Sequence, residues 1–506
     1  MPPFVPAGAS RENPRSSLAF RGMSQIEIHT QTATYGPGRQ LDPSGSLRQW
    51  SFKKTLSSSQ SAQEVGTLSL TLTAGVPGQS PTSTWADFVS VMDLIVVYAS
   101  NSGPSGLRTR FIGYITDVTY QEDTNSNPQQ PQRWIQIQAS DLMMGLQAEL
   151  VWTSVHIDPV STDASSAAFQ RRFKLIQEAA AAFGKQLQGS TPLLLWIYEF
   201  LRHSTYKNQL WYLDPSAASN LIVQNAMPIL FSPVVQIRNR AFAGSATWLN
   251  LITQAFDDTS QFSGAFYVMQ PQDGTVYNTL QPMMNAPFLE FFGDVRSADQ
   301  RQDVPVAYGG TTPGVVFGPD NAAFQLVVRN TPFDTGSGAP GTKPHAFENL
   351  PTTDVYLKQI SNRQYGTTTS DVVNYYYCYP EGYLQTPGFL APIKTLYGTL
   401  VDVDSVAQYG LHPLEVPILG YPQTDQSFTP AVVKQWNNTL YDWYHLNPTY
   451  IQGTVTVEGN PALRVGTRVR FPSIGLVGYV EAVDETFVAM SSYDTTVTFS
   501  RGVIGS

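Results

Sequence analysis

The sequence predicts a mainly β protein with α+β insertions, and three observations carry that expectation. Apolar and polar residues alternate with period two towards both ends of the chain, and between those stretches the spacing changes to that of helices. Only 14% of the residues are charged, against roughly 25% in an average soluble protein, with Ser, Thr, Gln, Asn, Gly and Pro filling the gap. That composition favours strands and extended loops over long solvated helices. A length of 506 residues allows about three domains, and 42% hydrophobic and 12% aromatic residues suffice for large cores.

Residues 1–22 contain Pro2, Pro3, Pro6 and Pro14 and no apolar run, so they are expected to form a flexible arm and not a secretory signal. From Met23 the pattern is β. Leu68, Leu70 and Leu72 alternate with Thr67, Ser69, Thr71 and Thr73, and Ile135 and Ile137 alternate with Gln136 and Gln138, as half-buried strands do. With the apolar run Leu94–Tyr98 and the stretch Arg110–Tyr120 they make a first β module over 23–150, a barrel or a sandwich, from which Gln121–Arg133 projects as a hairpin loop. A helical insert follows over 151–243. Phe169, Phe173, Ile176, Ala180 and Phe183 share a helix face ending near Gly184, and Thr191-Pro192 opens a second helix.

Residues 244–365 read as α+β and loop-rich. Ser245 caps a helix with Trp248, Leu251, Ile252 and Ala255 on one face, then Ala265–Met269 and Thr275–Asn278 form a hairpin around Gln272-Asp273-Gly274. Residues 281–350 show little periodicity and are expected as a long loop layer. The last part, 366–506, returns to β. Asp371–Tyr379 reads as a strand, a helix spans about 429–445 with Val433, Trp436, Leu440 and Trp443 or Tyr444 on one face, and four strands follow: Gly453–Val457, Thr467–Phe471, Gly478–Val483 and Thr495–Phe499.

The charge balance, 30 basic against 39 acidic residues, and the lack of a Lys or Arg run exclude tight nucleic-acid binding. One cysteine, Cys378, cannot form an intramolecular disulfide. The longest apolar stretch, Pro192–Leu201, is too short to span a bilayer and contains Glu199, so no membrane insertion is expected. Catalytic patterns are missing as well. The six histidines, at 29, 156, 203, 345, 412 and 445, are scattered, with no HExxH or paired CxxC, so no metal and no cofactor is expected. Gly336, Gly338 and Gly341 spell GxGxxG, but without the preceding strand and following helix that a dinucleotide site needs. Asp257-Asp258 and the pair Asp402 and Asp404 could serve a glycosidase, yet they sit at a helix end and before a turn, where carboxylates make local hydrogen bonds. Cys378, among tyrosines in an expected strand, reads as a buried small residue.

Several stretches in chain order resemble the baseplate hub family of phage tails, which includes the late control protein D group and the hub portion of type VI secretion spike proteins. They are FIGYITDV (Phe111–Val118) followed by RWIQIQASDLMMGL (Arg133–Leu146), TWLNLITQAF (Thr247–Phe256) with AFYVMQPQDGTVY, DVVNYYYCY, and DSVAQYGLH (Asp404–His412). The end of the chain matches best: the turn Gly-Asn-Pro-x-Leu-Arg-x-Gly at Gly459–Gly466, the strand Tyr-Val-Glu-x-Val from Tyr479, and the closing Arg501-Gly502.

The resemblance implies two tail-tube-like β-barrel domains in one chain, three chains forming a ring of six barrels, and a non-enzymatic symmetry adaptor between a sixfold tail tube and a threefold spike. The implied partners are two further copies, the tail tube protein above, a spike or needle below, baseplate wedge or sheath-initiating proteins around, and a tape measure protein in the lumen. The implied location is the virion's tail tip, after folding in the bacterial host cytoplasm. Three chains would carry a formal charge of about −27, three times −9, and an acidic lumen would let DNA pass without sticking. The alternatives are the hub of a non-contractile tail tip or injection device and, in another class, a tail-associated cell-wall hydrolase.

Overall fold

The computed structural model describes residues 22–30, 33–56, 65–80, 82–123, 132–148, 150–151, 252–256, 274–275, 277, 287–300, 315–332, 347–380, 399–418 and 430–504. The first β module contributes β1 (Met23–His29), β2 (Thr34–Tyr35), β3 (Leu47–Thr55), β4 (Thr67–Thr73), β5 (Leu94–Ser100), β6 (Arg108–Asp123) and β7 (Gln132–Asp141), closed by the short helix α1 (Met144–Ala148). β6 and β7 run past the expected ends of their strands and take in the two ends of the Gln121–Arg133 loop as hairpin stem.

The middle of the chain corrects two expectations. Residues Ile252–Phe256 form a strand, β9, and not the C-terminal half of a helix. The apolar spacing there fits both periods over so short a run, and a parallel partner decides it: β12 (Ala323–Asn330) hydrogen-bonds to β9 from Phe324↔Ile252 to Val328↔Phe256. The presumed loop layer also holds β12 and β11 (Leu289–Arg296), paired antiparallel over eight residue pairs. Every residue of β11 is buried, including Glu290, Asp294 and Arg296. A strand buried on both faces has no alternation to detect, and here its charges erase the apolar run as well. β8 (Leu150–Val151) and β10 (Gly274–Thr275) pair antiparallel. The helices expected over 169–184 and from Thr191, and the hairpin strand Ala265–Met269, fall outside the described residues.

The last third contributes β13 (Thr352–Asp354), β14 (Ile360–Gly366), β15 (Tyr375–Pro380), β16 (Leu400–Val401), the helices α2 (Val403–Tyr409) and α3 (Pro430–Tyr444), β17 (Pro413–Ile418), β18 (Ile451–Glu458), β19 (Arg468–Phe471), β20 (Leu476–Val488) and β21 (Ser492–Ile504). The helix expected at 429–445 is α3, with Val433, Trp436, Leu440 and Trp443 all buried. The strand expected at Asp371–Tyr379 begins four residues later. It belongs to a separate three-stranded sheet, β16-β15-β17, where β17 runs parallel to it.

The two end modules do not close into separate barrels among the described residues. Thirteen strands form one sheet whose main path is β14-β18-β21-β20-β3-β4-β7-β6-β5-β1-β2, with β19 joining β20 to β13. The joint is β20 against β3, antiparallel from Ala482↔Thr55 to Val488↔Gln49. Side chains cross it too. Phe487 stacks on Trp50 at 5.9 Å between ring centroids, and Tyr493 lies 5.8 Å from the same ring, so the core of the first module borrows two aromatics from the last. A second core joins Leu94, Val96 and Tyr114 to the middle strands, to Tyr376 and Cys378, and to the buried face of α3. The third fills the last module and takes in Phe292 and Val327.

Candidate functional surface

The alternation that buries one side of the sheet leaves the other side polar, and the register carries that polarity across eight strands. On β3 and β4, Ser51 faces Ser69 and Gln49 faces Thr71; on β4 and β7, Ser69 faces Gln138 and Thr71 faces Gln136. Towards the C-terminal module, Thr486 faces Ser51, Asp484 faces Lys53 and Thr496, and Thr456 faces Thr496. Asn362 and Gln364 of β14 extend the row beyond Thr456 and Thr454, and Asp117, Thr119 and Gln121 of β6 end it on the other side. A one-residue slip in any ladder would turn apolar residues into this face, so the β-bulges in β6, β14, β20 and β21 matter: the ladder shifts at Ile115/Asp117, Ile360/Asn362, Val480/Ala482 and Val477/Tyr479.

Neighbouring side chains bond to one another along the face. Gln138 Nε2 donates to Ser69 Oγ at 2.9 Å, Gln121 Nε2 to Gln136 Oε1 at 3.1 Å, Trp134 Nε1 to Gln121 Oε1 at 2.5 Å, and the hydroxyls of Thr456 and Thr496 lie 2.9 Å apart. The ionisable groups at ladder positions of this face are the carboxylates Asp117, Asp123, Glu458, Asp484 and Asp494 and the single amine Lys53. Partial burial raises the Asp484 carboxyl above its usual value; Lys53 opposes that and Glu485 adds to it. The result is a broad surface of short, mutually satisfied hydroxyls and amides with a weak negative bias. It offers little to grip a polyanion.

Behind this face the three parts of the chain are locked by buried ions, and the Gly459–Gly466 turn is where they meet. Arg110 of β6 makes a two-pronged contact with Glu485 of β20 and donates to the carbonyls of Pro461, at 2.6 Å, and Leu463, at 3.3 Å. Tyr493 donates to Glu485 at 3.1 Å. Burial works against the Arg110 charge, but Glu485, Tyr493 and Asp294 together outweigh it and the guanidinium is held above its ordinary value. Arg464 reaches back to the Thr109 carbonyl at 3.0 Å and lies 3.7 Å from Asp294 of β11. Burial, then the Arg110 charge, lowers its guanidinium to about 10, so it stays protonated at neutral pH. Arg329 of β12 pairs with Glu290 at 2.8 Å and donates to the Gly466 carbonyl at 2.8 Å, while Tyr479 donates to Glu290 at 2.6 Å.

The glycines of that turn have steric reasons. A Cβ on Gly459 would collide with the Tyr493 ring, and Gly466, at φ 70°, would press one against Arg329 and Phe292. The closing Arg-Gly has its own role. Arg501, at φ 53°, holds its guanidinium 3.5 Å over the Trp443 ring and donates to the Trp443 carbonyl and, at 3.2 Å, to Asn447 Oδ1, which ties α3 to the end of β21.

The residues weighed for chemistry are placed singly. Asp402 caps α2 by accepting from the Ser405 N–H at 3.0 Å, and Asp404 lies in the first turn of the same helix. Cys378 is buried in β15, its N–H donating to Asn437 Oδ1 at 2.9 Å, and burial pushes its thiol far up. His412 and His445 bond to the carbonyls of Tyr409 and Tyr441, and His29 lies 3.2 Å from the Thr34 hydroxyl, its pKa lowered by burial. Asp257, Asp258, His156, His203, His345, Gly336, Gly338 and Gly341 lie outside the described residues. Among the described residues no three His, Cys, Asp or Glu side chains gather as a metal site, and no helix is long and apolar enough to cross a membrane.

Sequence reading did not single out the ion pairs, although a signal was present. Glu485 stands in phase with the inward-facing Val483 and Phe487, and a charge at an inward position of a strand calls for a buried partner.

No family model and no curated protein matches the chain. Among solved structures it is similar to the tail protein from Neisseria meningitidis, at 10% identity and a TM-score of 0.42, over 95% of this chain and 96% of that one. It is similar also to the 43 kDa prophage tail protein from Shewanella oneidensis, at 10% identity and 0.41, over 94% and 97%. A third is an Escherichia coli component of the type VI secretion system, at 8% identity and 0.33, over 95% and 77%.

Proposed function

We propose that the chain is a structural hub of a phage-type tail: a non-enzymatic trimer whose two tube-like modules per copy form a pseudo-sixfold ring under the tail tube and above a threefold spike. The observation that carries this reading is the polar face, built jointly by both ends of one chain and continuous through β20 and β3. A passive lumen needs a surface that a polyanion does not grip, and short hydroxyls and amides with carboxylates outnumbering amines at the ladder positions supply it. The ordered motifs support the same reading, since the Gly459–Gly466 turn and the Arg501-Gly502 close serve junctions between modules and so belong to the architecture.

On this reading the partners are two further copies, a tube protein above, a spike or needle below, baseplate or sheath-initiating proteins around and a tape measure protein inside, in a virion assembled in the host cytoplasm. Native mass spectrometry with negative-stain imaging tests it. The expected particle has about 167 kDa, three times the 55.7 kDa chain, and a threefold or pseudo-sixfold ring with a central channel. A monomer that gives no ring with either the tube or the spike protein of its own tail overturns the reading, and so does peptidoglycan lysis that disappears on Asp402→Asn with Asp404→Asn.

A further inference from the structure

A helix of two turns does not hold alone in water and owes its stability to the apolar face it packs. α2 departs from this. Four of its seven residues, Val403, Val406, Ala407 and Tyr409, are apolar or aromatic, and none of the seven is buried. Val403 is 71% exposed, Leu411 just beyond the helix 61% and Val401 just before it 39%. The helix is nevertheless pinned from behind. It bridges β16 to β17, the two neighbours of β15, and the fully buried Asn374 ties both of its ends. The Asn374 carbonyl accepts from the Asp402 N–H at 2.9 Å, and its side-chain amide donates to the Gly410 carbonyl at 2.7 Å and accepts from the His412 N–H at 2.7 Å. Asp402 caps the first turn and Gly410, at φ 83°, ends the last.

Charge of one sign surrounds this apolar ridge. The Tyr441 phenol of α3 is raised first by burial and then by Asp402, Asp442 and Asp404, so three carboxylates from two helices lie within electrostatic reach of one ring. Asp371 stands at the same end of α3, its carbonyl accepting from Asn447 Nδ2 at 2.9 Å. Asp371, Asp404 and Asp442 are exposed. Among the described residues no Lys or Arg occurs in the chain between Arg363 and Lys434, and Lys434 lies two turns of α3 before Asp442, roughly 12 Å along the helix.

We infer that α2 with Leu411 is a docking ridge for a cationic amphipathic helix of a partner protein, whose apolar stripe covers Val403 and Leu411 while its Lys or Arg side chains meet Asp404, Asp442 and Asp371. The inference goes beyond the hub reading and does not depend on it. A ridge of two helical turns is about 10 Å long, so two or three apolar side chains of the partner cover it. Because Asn374 and the two caps already fix α2, docking orders nothing further on this chain. A second copy does not supply such a helix from the described residues. α1 carries no charge, α2 is itself acidic, and α3 keeps its apolar stripe inside the protein.

Designed peptides test this on the full chain, read by fluorescence anisotropy. The probe is a Leu/Lys peptide of about five helical turns with its leucines on one face, set against a scramble of the same composition. The helix is expected to bind at least about tenfold more tightly than the scramble. Val403→Ser with Leu411→Ser should weaken binding at least about tenfold, with circular dichroism unchanged because both positions are exposed. Asp404→Asn with Asp442→Asn should weaken it at low salt and flatten its salt dependence, while Asp402, the cap of α2, is left in place. Equal binding of helix and scramble, or binding that survives the exchange of Val403 and Leu411, overturns the docking ridge, since charge alone then accounts for it. A photoreactive leucine analogue at position 403 reports the occupant. Links to the added peptide alone are expected. Links in the free chain to residues 381–398 or 419–429, or between two copies, overturn the inference by giving the ridge to this chain itself.

Discussion

Arg110 and Glu485 show at the level of single residues how this fold uses charge. Both side chains are almost fully buried, and their contacts reach the first module, the last module and the turn between β18 and β19. A buried pair of this kind is weak evidence for stability in itself, since desolvation consumes most of the Coulomb gain. Its value lies in orientation, because a guanidinium with four directed contacts accepts only one placement of its neighbours. Arg110→Met should therefore destabilise the chain by about 3–5 kcal/mol by leaving Glu485 charged and buried, whereas Arg110→Met with Glu485→Leu should recover most of the loss. Urea unfolding of both variants decides between a stabilising and an orienting role. An equal loss in the single and the double variant would mean that the packing of the arginine stem, and not its charge, is what matters.

Among the elements, α3 has the clearest link from pattern to position. Its apolar residues at 433, 436, 440 and 443 form one stripe, of which the first three join the core shared with the first module while Trp443 meets Tyr479 and Arg501 of the last. Asn437, in the same helix, is buried and satisfies the Cys378 backbone N–H. Trp436→Ala should cost about 3–5 kcal/mol, read as a drop in melting temperature and urea midpoint, because it removes the largest side chain from a site with no solvent to fill it. The central elements behave differently. β11 and β12 keep Glu290, Asp294, Arg296, Gln325 and Arg329 inside the protein, so neither a period of two nor an apolar run marks them, and a reading by pattern takes them for loop. Ile252–Phe256 is too short for its spacing to separate strand from helix, and its partner β12 lies some seventy residues further on. β14, in contrast, is exposed along six of its seven residues, and Ile360 alone packs against the core of the last module.

The whole molecule presents a wide polar face whose poverty in charge is a property of the assembly and not of any single strand. Replacing Ser51, Ser69 and Thr486, which are neighbours across three strands, by lysine should leave the fold intact, because none of the three is a core residue. It should strengthen nucleic-acid binding relative to the natural chain, detectable as added retention of duplex DNA at low salt that is lost at about 200 mM. On the hub reading proposed above, the same variant in an assembled tail should slow or block genome passage while particle yield stays normal. Retention of DNA by the natural chain would contradict a passive lumen.

Both end modules could be read in the amino-acid order, because half-buried antiparallel strands write their environment into alternation: Leu68 to Leu72, Ile135 and Ile137, and Val455 and Val457 all point inward as their spacing requires. The face of α3 was readable for the same local reason. What local order could not express is pairing at a distance. That β20 docks on β3 and that Arg110 meets Glu485 depend on contacts between segments hundreds of residues apart. Such contacts arise when each module covers the apolar surface and buried charge that the other leaves exposed, a condition that no single stretch of sequence contains.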